Sequence, residues 1–143
     1  KGHVTHSELD GRTTADDVGL GKMMSASKPD FIGKRLSTRY GLTAADRLQM
    51  VGLKPVELDK PLKAGAALLR EGVEPSMTAG QGFVSSACFS PHIGQWIGLA
   101  MLKSGRERIG EKILVWDAVR SSEFLAEVCA PVFVDPENLN LHV

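Results

Sequence analysis

The stretch GQGFVSSACFSPHIGQWIGLAMLK, residues 80–103, decides how the whole chain is read. Ser85, Ser86, Cys88, Ser90 and His92 fall within one short window of it, so it reads either as a nucleophile with its base or as a polar hairpin. A nucleophile elbow needs G-x-S-x-G on a strand-to-helix turn, and the sequence has none. A Cys–His pair needs Cys88 beside His92 and a thiol of lowered pKa, for which neither flank supplies a cause. The hairpin accounts for more of the residues. Phe83–Cys88 forms one strand, Ser90-Pro91-His92-Ile93-Gly94 the turn, and Trp96–Ala100 the return. Pro91 presets the turn's backbone, and Gly94 accepts a positive φ. This reading makes Cys88 a small core residue.

The same pattern extends outward on both sides. RLQMVGLK, AALLR, GFVSSACF, WIGLAMLK, KILVWDA and FLAEVCAPVFV are short β-prone runs separated by Gly and Pro. Such spacing predicts an antiparallel β-barrel of about six strands from residue 46 onward. The Gly105–Gly110 run GRERIG lacks the Lys of a P-loop and the third Gly of a dinucleotide fingerprint, so it reads as a charged loop.

Residues 1–45 have a different character, which makes the fold class α+β, mostly β. GHVTHS reads as strand, Leu9-Asp10-Gly11 as a turn, and Thr13–Asp16 as helix-entry chemistry with Asp16 and Asp17 as cap and turn residues. Gly19 and Gly21 predict a bend around Leu20, KMMS a short strand, and Met23-Met24 a core pair. Asp30 opens a predicted helix, DFIGKRLSTRYG, in which Phe31, Ile32, Leu36 and Tyr40 recur at helical spacing and Gly41 closes the end. Lys1, with no Met before it and strand-like residues after it, suggests an excised piece of a longer polypeptide.

Composition bounds the function. The 143 residues suit a single domain of roughly 100–200 residues. Seventeen basic residues balance seventeen acidic ones, which gives no electrostatic reason to expect nucleic acid or an anionic membrane as partner. The longest apolar runs are too short to span a bilayer. Cys88 and Cys129 are too few for a disulfide framework, so a reduced, cytoplasmic protein is expected. His3, His6, His92 and His142 show no metal-ligand spacing, and a strand would put His3 and His6 on opposite faces. Residue chemistry alone yields no catalytic site.

In order along the chain, GRTTADDVGLGKMMS, KPDFIGKR, DRLQMVGL, the 80–103 stretch and APVFVDPE resemble the C-terminal part of the aminomethyltransferase (glycine-cleavage T-protein) family. Within it, the T-T-x-D-D-x-G-L-G, K-x-D-F-I-G-K-R and K-x-G-R-x-R-x-G-E patterns look like the branch formed by the α subunit of heterotetrameric sarcosine oxidase. The resemblance implies that residues 1–45 are the tail of an α/β folate-binding domain and 46–143 the family's C-terminal barrel. It implies oxidative demethylation of sarcosine to glycine by the full-length assembly. The one-carbon unit passes to tetrahydrofolate as 5,10-methylenetetrahydrofolate, or leaves as formaldehyde when folate is absent. Flavin and NAD would sit elsewhere in the assembly, with other oxidase subunits as partners and this chain inactive alone. The acidic and arginine residues that hold the pterin would lie upstream of Lys1.

Three positions that carry a folate-facing Trp, Arg and Tyr in T-proteins fall on Lys22, Met50 and Met101, which remain as lining positions of a folate site. The loss of their chemistry favours the oxidase branch. Two alternatives stand beside it: a T-protein-like or dimethylglycine-oxidising relative, and a non-catalytic β-barrel interaction module. Cut from its upstream sheet, the chain would expose strand edges in residues 1–45 and self-associate through them.

Overall fold

The computed structural model describes residues 3–25 and 27–141. His142 lies outside them. Six strands form in the six β-prone runs: β1 (Leu48–Pro55), β2 (Ala67–Arg70), β3 (Gly82–Ser90), β4 (Gln95–Lys103), β5 (Lys112–Asp117) and β6 (Ser122–Cys129). They close into a barrel in the order β1-β4-β3-β2-β5-β6, with every pairing antiparallel. Closure pairs β6 with β1 and so leaves the sheet no free edge.

The 80–103 stretch is the expected hairpin. Ser90 pairs with Gln95 across a turn at residues 91–94, the Gly94 N–H donates to the Ser90 carbonyl at 2.8 Å, and Gly94 takes φ +76°. The register slips between Val84 and Ser86, so Ser85 is the extra residue of a β-bulge. One expectation fails here. Cys88 is exposed, because it faces outward from the barrel wall near the hairpin tip.

Alternation of period two builds the interior. Val51 and Leu53 of β1, Ala100 and Leu102 of β4, Ile113 and Val115 of β5, and Phe124, Ala126 and Val128 of β6 all point inward and are buried. A second apolar cluster lies on the outside of the wall, where Met50 of β1 sits opposite Met101 of β4 and both pack against Val18. Leu20, Leu48, Phe83 and Leu99 flank it. The N-terminal segment thus lies as a strap across β1 and β4, fastened by the Met50 N–H, which donates to the Asp17 carbonyl at 2.7 Å.

Within the strap the expected elements differ from those formed. Residues 3–5 have no regular structure and 6–8 form a turn, so His3 and His6 do not share a strand. KMMS is not a strand: Gly21–Met23 is a single 3-10 turn, and Met23 and Met24 are exposed rather than core. The predicted helix breaks into two single turns, α1 (Lys34–Ser37) and α2 (Tyr40–Thr43). Gly33 takes φ +93° immediately before α1, which prevents a helix from running through it, and Gly41 lies inside α2 instead of capping it. Ile32, Leu36 and Tyr40 consequently form no buried stripe and are exposed. No strand forms among the described residues before Leu48, so the strand edges expected to drive self-association are not there.

Candidate functional site

The strap and the outer face of β1, β3 and β4 enclose a cleft of about 390 Å³. Its apolar floor is Leu48, Phe83 and Met101, and its polar wall comes from the strap, chiefly Glu8, Thr13 and Asp17. The wall is set by short-range bonding. The Thr14 N–H donates to Asp17 Oδ2 at 2.8 Å and the Asp17 N–H donates to Thr14 Oγ1 at 3.2 Å, a reciprocal capping pair closed over a turn instead of a helix. Thr13 Oγ1 donates to the Glu8 carbonyl at 2.8 Å and holds the next loop against it.

Arg47, just before β1, ties this wall to the barrel. Its Nε donates to Asp17 Oδ1 at 3.0 Å, and one terminal nitrogen is shared between Asp17 Oδ2 and the Arg12 carbonyl. The other donates to the Gly41 carbonyl at 2.9 Å. Burial by itself pushes the Asp17 pKa up, but the Arg47 guanidinium and the Thr14 N–H and hydroxyl outweigh it and hold the carboxyl below its ordinary range. A second tie runs from Arg106, between β4 and β5, to the Asp16 carboxylate at 2.9 Å.

Glu8 is only 2% exposed. Its Oε2 accepts from the Thr5 N–H at 2.5 Å and the Thr5 hydroxyl at 2.6 Å, while its Oε1 has no hydrogen-bond partner among the described residues. Burial raises its pKa. The hydroxyls of Ser85 and Thr5 and the nearby amides more than offset this, and the carboxyl stays below its ordinary range. The Ser85 hydroxyl stands close enough to favour the charge, yet its hydrogen bond goes to the Leu99 carbonyl at 3.1 Å.

The structure separates the three sequence-derived lining positions. Met50 and Met101 meet across β1 and β4 and are buried; Met101 reaches the cleft, and Met50 reaches a smaller hollow of about 80 Å³ beside Val18 and Leu20. Lys22 is exposed on the 3-10 turn. Cys88 pairs with Ile97 on the wall, His92 lies in the turn, and no hydrogen bond joins them among the described residues. No group of three metal-ligating side chains occurs among the described residues, and none of their helices is long and apolar enough to cross a membrane. Sequence reasoning missed Glu8, Arg47 and the Ser85 bulge. Only Asp17 had a local signal, the Thr14-x-x-Asp17 spacing.

With this geometry in view, comparison with known proteins is informative. Residues 49–135 match the family model described as the glycine cleavage T-protein C-terminal barrel domain. All 143 residues align at 45% identity with sarcosine oxidase subunit alpha of Rhizobium meliloti (strain 1021), of which the chain spans 14%. Sarcosine oxidase subunit alpha of Corynebacterium sp. (strain P-1) is 37% identical over 76% of the chain and 11% of the relative. An aminomethyltransferase of Halalkalibacterium halodurans is 30% identical over 82% of the chain and 29% of the relative. The crystal structure of the glycine cleavage system aminomethyltransferase T from Bartonella henselae superposes with a TM-score of 0.61. It covers 90% of this chain and 34% of that one at 20% identity, a likeness of fold. The closed six-stranded barrel and the match across it agree: this chain belongs to the glycine cleavage T-protein C-terminal barrel domain family.

Proposed function

We propose that the chain is part of a sarcosine oxidase α subunit. In this reading, residues 1–45 are the tail of a folate-binding domain and residues 46–143 the barrel that closes against it. The full-length assembly demethylates sarcosine oxidatively in the cytoplasm. Flavin and NAD are held in other parts of that assembly, alongside its other subunits. The observation that carries the reading is the 45% identity to a sarcosine oxidase subunit alpha across the whole chain, strap and barrel alike.

Tetrahydrofolate, when bound, supplies the amines that take up the one-carbon unit. The three lining positions stand on separate surfaces, and each has a chemistry suited to a different part of such a molecule. Met50 and Met101 offer apolar contact but no hydrogen-bond donor or acceptor suited to a pterin edge. Lys22 offers an exposed ammonium to a carboxylate, as the glutamyl end of a folate carries. This chain's share of the work is therefore to seat and orient the tail, leaving pterin recognition to residues outside it.

The test uses the complete polypeptide that contains this segment, assembled with its partner subunits. Sarcosine is expected to drive oxygen uptake, with formaldehyde accumulating without tetrahydrofolate and falling when it is added. Lys22→Ala in that assembly is expected to weaken tetrahydrofolate binding about ten-fold, the scale of one charge-assisted contact. Absence of sarcosine oxidation, with folate-dependent aminomethyl transfer in its place, would establish the T-protein-like alternative.

A further inference from the structure

The mouth of the barrel where β5 ends and β6 begins holds a hollow of about 230 Å³. At this rim Asp117 pairs with Ser122, and Trp116 pairs with Ala67, the first residue of β2. The apolar lining is Pro61, Ala66, Val115 and Phe124, and the last three also belong to the packed interior. Barrel mouths are a favoured place for small-molecule sites, because the wall supplies apolar surface and the loops supply polar groups.

The polar lining carries an excess of positive charge. Asp117 is the one acid among the described residues that line the hollow, and it is fully engaged. Its Oδ1 accepts from the Val119 and Arg120 N–H groups at 3.1 Å each, and its Oδ2 from Arg120 Nη1 at 2.7 Å. Arg120 spends only that one side-chain nitrogen, so Nε and Nη2 have no hydrogen-bond partner among the described residues. Lys63 makes no ion pair among them either; its ammonium lies 4.9 Å from the centroid of the Trp96 ring, a contact that leaves its N–H donors uncommitted. The Ser122 hydroxyl also has no partner among the described residues. These donors are accessible: the Arg120 side chain is 57% exposed, and Lys63 is exposed.

Exposed lysines and arginines ordinarily serve as solvated surface charge. That accounts for the two cations but not for the apolar hollow they border. We infer that this mouth binds a small organic carboxylate, held by Arg120 and Lys63, with its hydrocarbon body lying on Val115 and Phe124. A guanidinium with two free nitrogens matches the geometry of a carboxylate. An inorganic anion would gain nothing from the apolar lining, an organic cation would be repelled, and a neutral amide would forgo the charge. The site stands on the barrel mouth alone and does not rest on the oxidase or folate reading.

The experiment uses the complete polypeptide that contains this segment, assembled with its partner subunits. It is irradiated with 4,4-azipentanoate, a short carboxylate bearing a photoreactive diazirine, and the adducts are mapped by peptide mass spectrometry. Adducts are expected on the β5–β6 hairpin around Val115 and Phe124, rising saturably with probe concentration. Unlabelled pentanoate is expected to suppress them, and pentanamide and inorganic phosphate to leave them. Lys63→Gln is expected to raise the half-saturating concentration about three-fold, and Lys63→Gln with Arg120→Gln about ten-fold, the scale of one and two exposed ionic contacts. Lys63 takes no part in the Asp117 bonding, so the single variant stays readable even where loss of Arg120 disturbs the turn. No saturable adduct on the lining residues of the unsubstituted assembly would overturn the site. Suppression by pentanamide as strong as by pentanoate, or unchanged half-saturation in the Lys63→Gln assembly, would remove the charges from the explanation. Phosphate that competes as well as pentanoate would do the same for the apolar hollow.

Discussion

The two apolar clusters of this molecule lie back to back on the same strands and are built on different principles. Inside the barrel, Val51, Leu53, Ala100, Leu102 and their neighbours fill a space closed by the sheet itself, with no polar group needed to hold them. Outside it, Val18, Met50 and Met101 are buried only because a strap lacking regular strands is held over them. The attachments of that strap are polar and long-range: Asp17 to Arg47 across thirty positions, Arg106 to Asp16 across ninety. The interior is thus specified by side-chain periodicity. The outer layer is specified by pairings between residues far apart in sequence.

The sharpest test of this contrast is a cavity in the interior. Leu53 is fully buried in β1 between the β4 and β6 pairings. Leu53→Ala is expected to lower unfolding free energy by about 2–5 kcal/mol, the loss of transfer energy plus a residual void. Urea unfolding followed by far-ultraviolet circular dichroism measures it. A loss below about 1 kcal/mol would mean that the interior relaxes around the hole and is not the main support of the fold.

The strap is tested by breaking its ion pair. Asp17 and Arg47 are both largely shielded, so Asp17→Asn leaves a guanidinium short of its counter-charge and is expected to cost about 3 kcal/mol of strap attachment. Hydrogen exchange separates this from barrel unfolding: the Met50 amide, bonded to the Asp17 carbonyl, is expected to lose protection while the β5–β6 amides keep theirs. Acid does the same reversibly. The pKa of Asp17 is lowered by attachment from an ordinary 3.8, so its contribution is complete above that value and disappears as pH falls through the lower, attached-state value. Glu8, also lowered, acts in the same direction. Uniform loss of protection across both layers would show that strap and barrel are one cooperative unit.

How much of this could be read from the sequence follows the same division. The six strands and the 83–100 hairpin were legible because alternation, Pro91 and Gly94 are local signals that agree with the fold they produce. The strap was not. Phe31, Ile32, Leu36 and Tyr40 kept helical spacing, but Gly33 at positive φ broke the helix and nothing among the described elements covers the exposed side chains. GHVTHS and KMMS have β-prone residues without a sheet edge to join, since the barrel closes on itself. Met50 was placed on a site-lining surface by resemblance. Its burial against Val18 depends on a strap whose path no local pattern encodes. Glu8 had no signal, because its importance comes from what Thr5 and Ser85 do with their protons.

The smallest effect concerns the two thiols, one on each side of the contrast. Cys88 stands exposed on the outer face of β3, whereas Cys129 closes β6 against Gly52 of β1, where burial pushes its pKa up to about 11. Near neutral pH the thiolate of Cys129 is therefore scarce, and reaction with an alkylating agent needs both exposure and thiolate. Iodoacetamide at pH 7.5 is expected to modify Cys88 within minutes to hours and to leave Cys129 intact, as read by peptide mass spectrometry. Protection at Cys129 should survive loss of the strap in Asp17→Asn and fail in urea, because it reports the β1–β6 seam and not the outer layer. Labelling of Cys129 at the rate of Cys88 in native buffer would mean that the seam opens. The interior would then depend on something other than the closure of its own sheet.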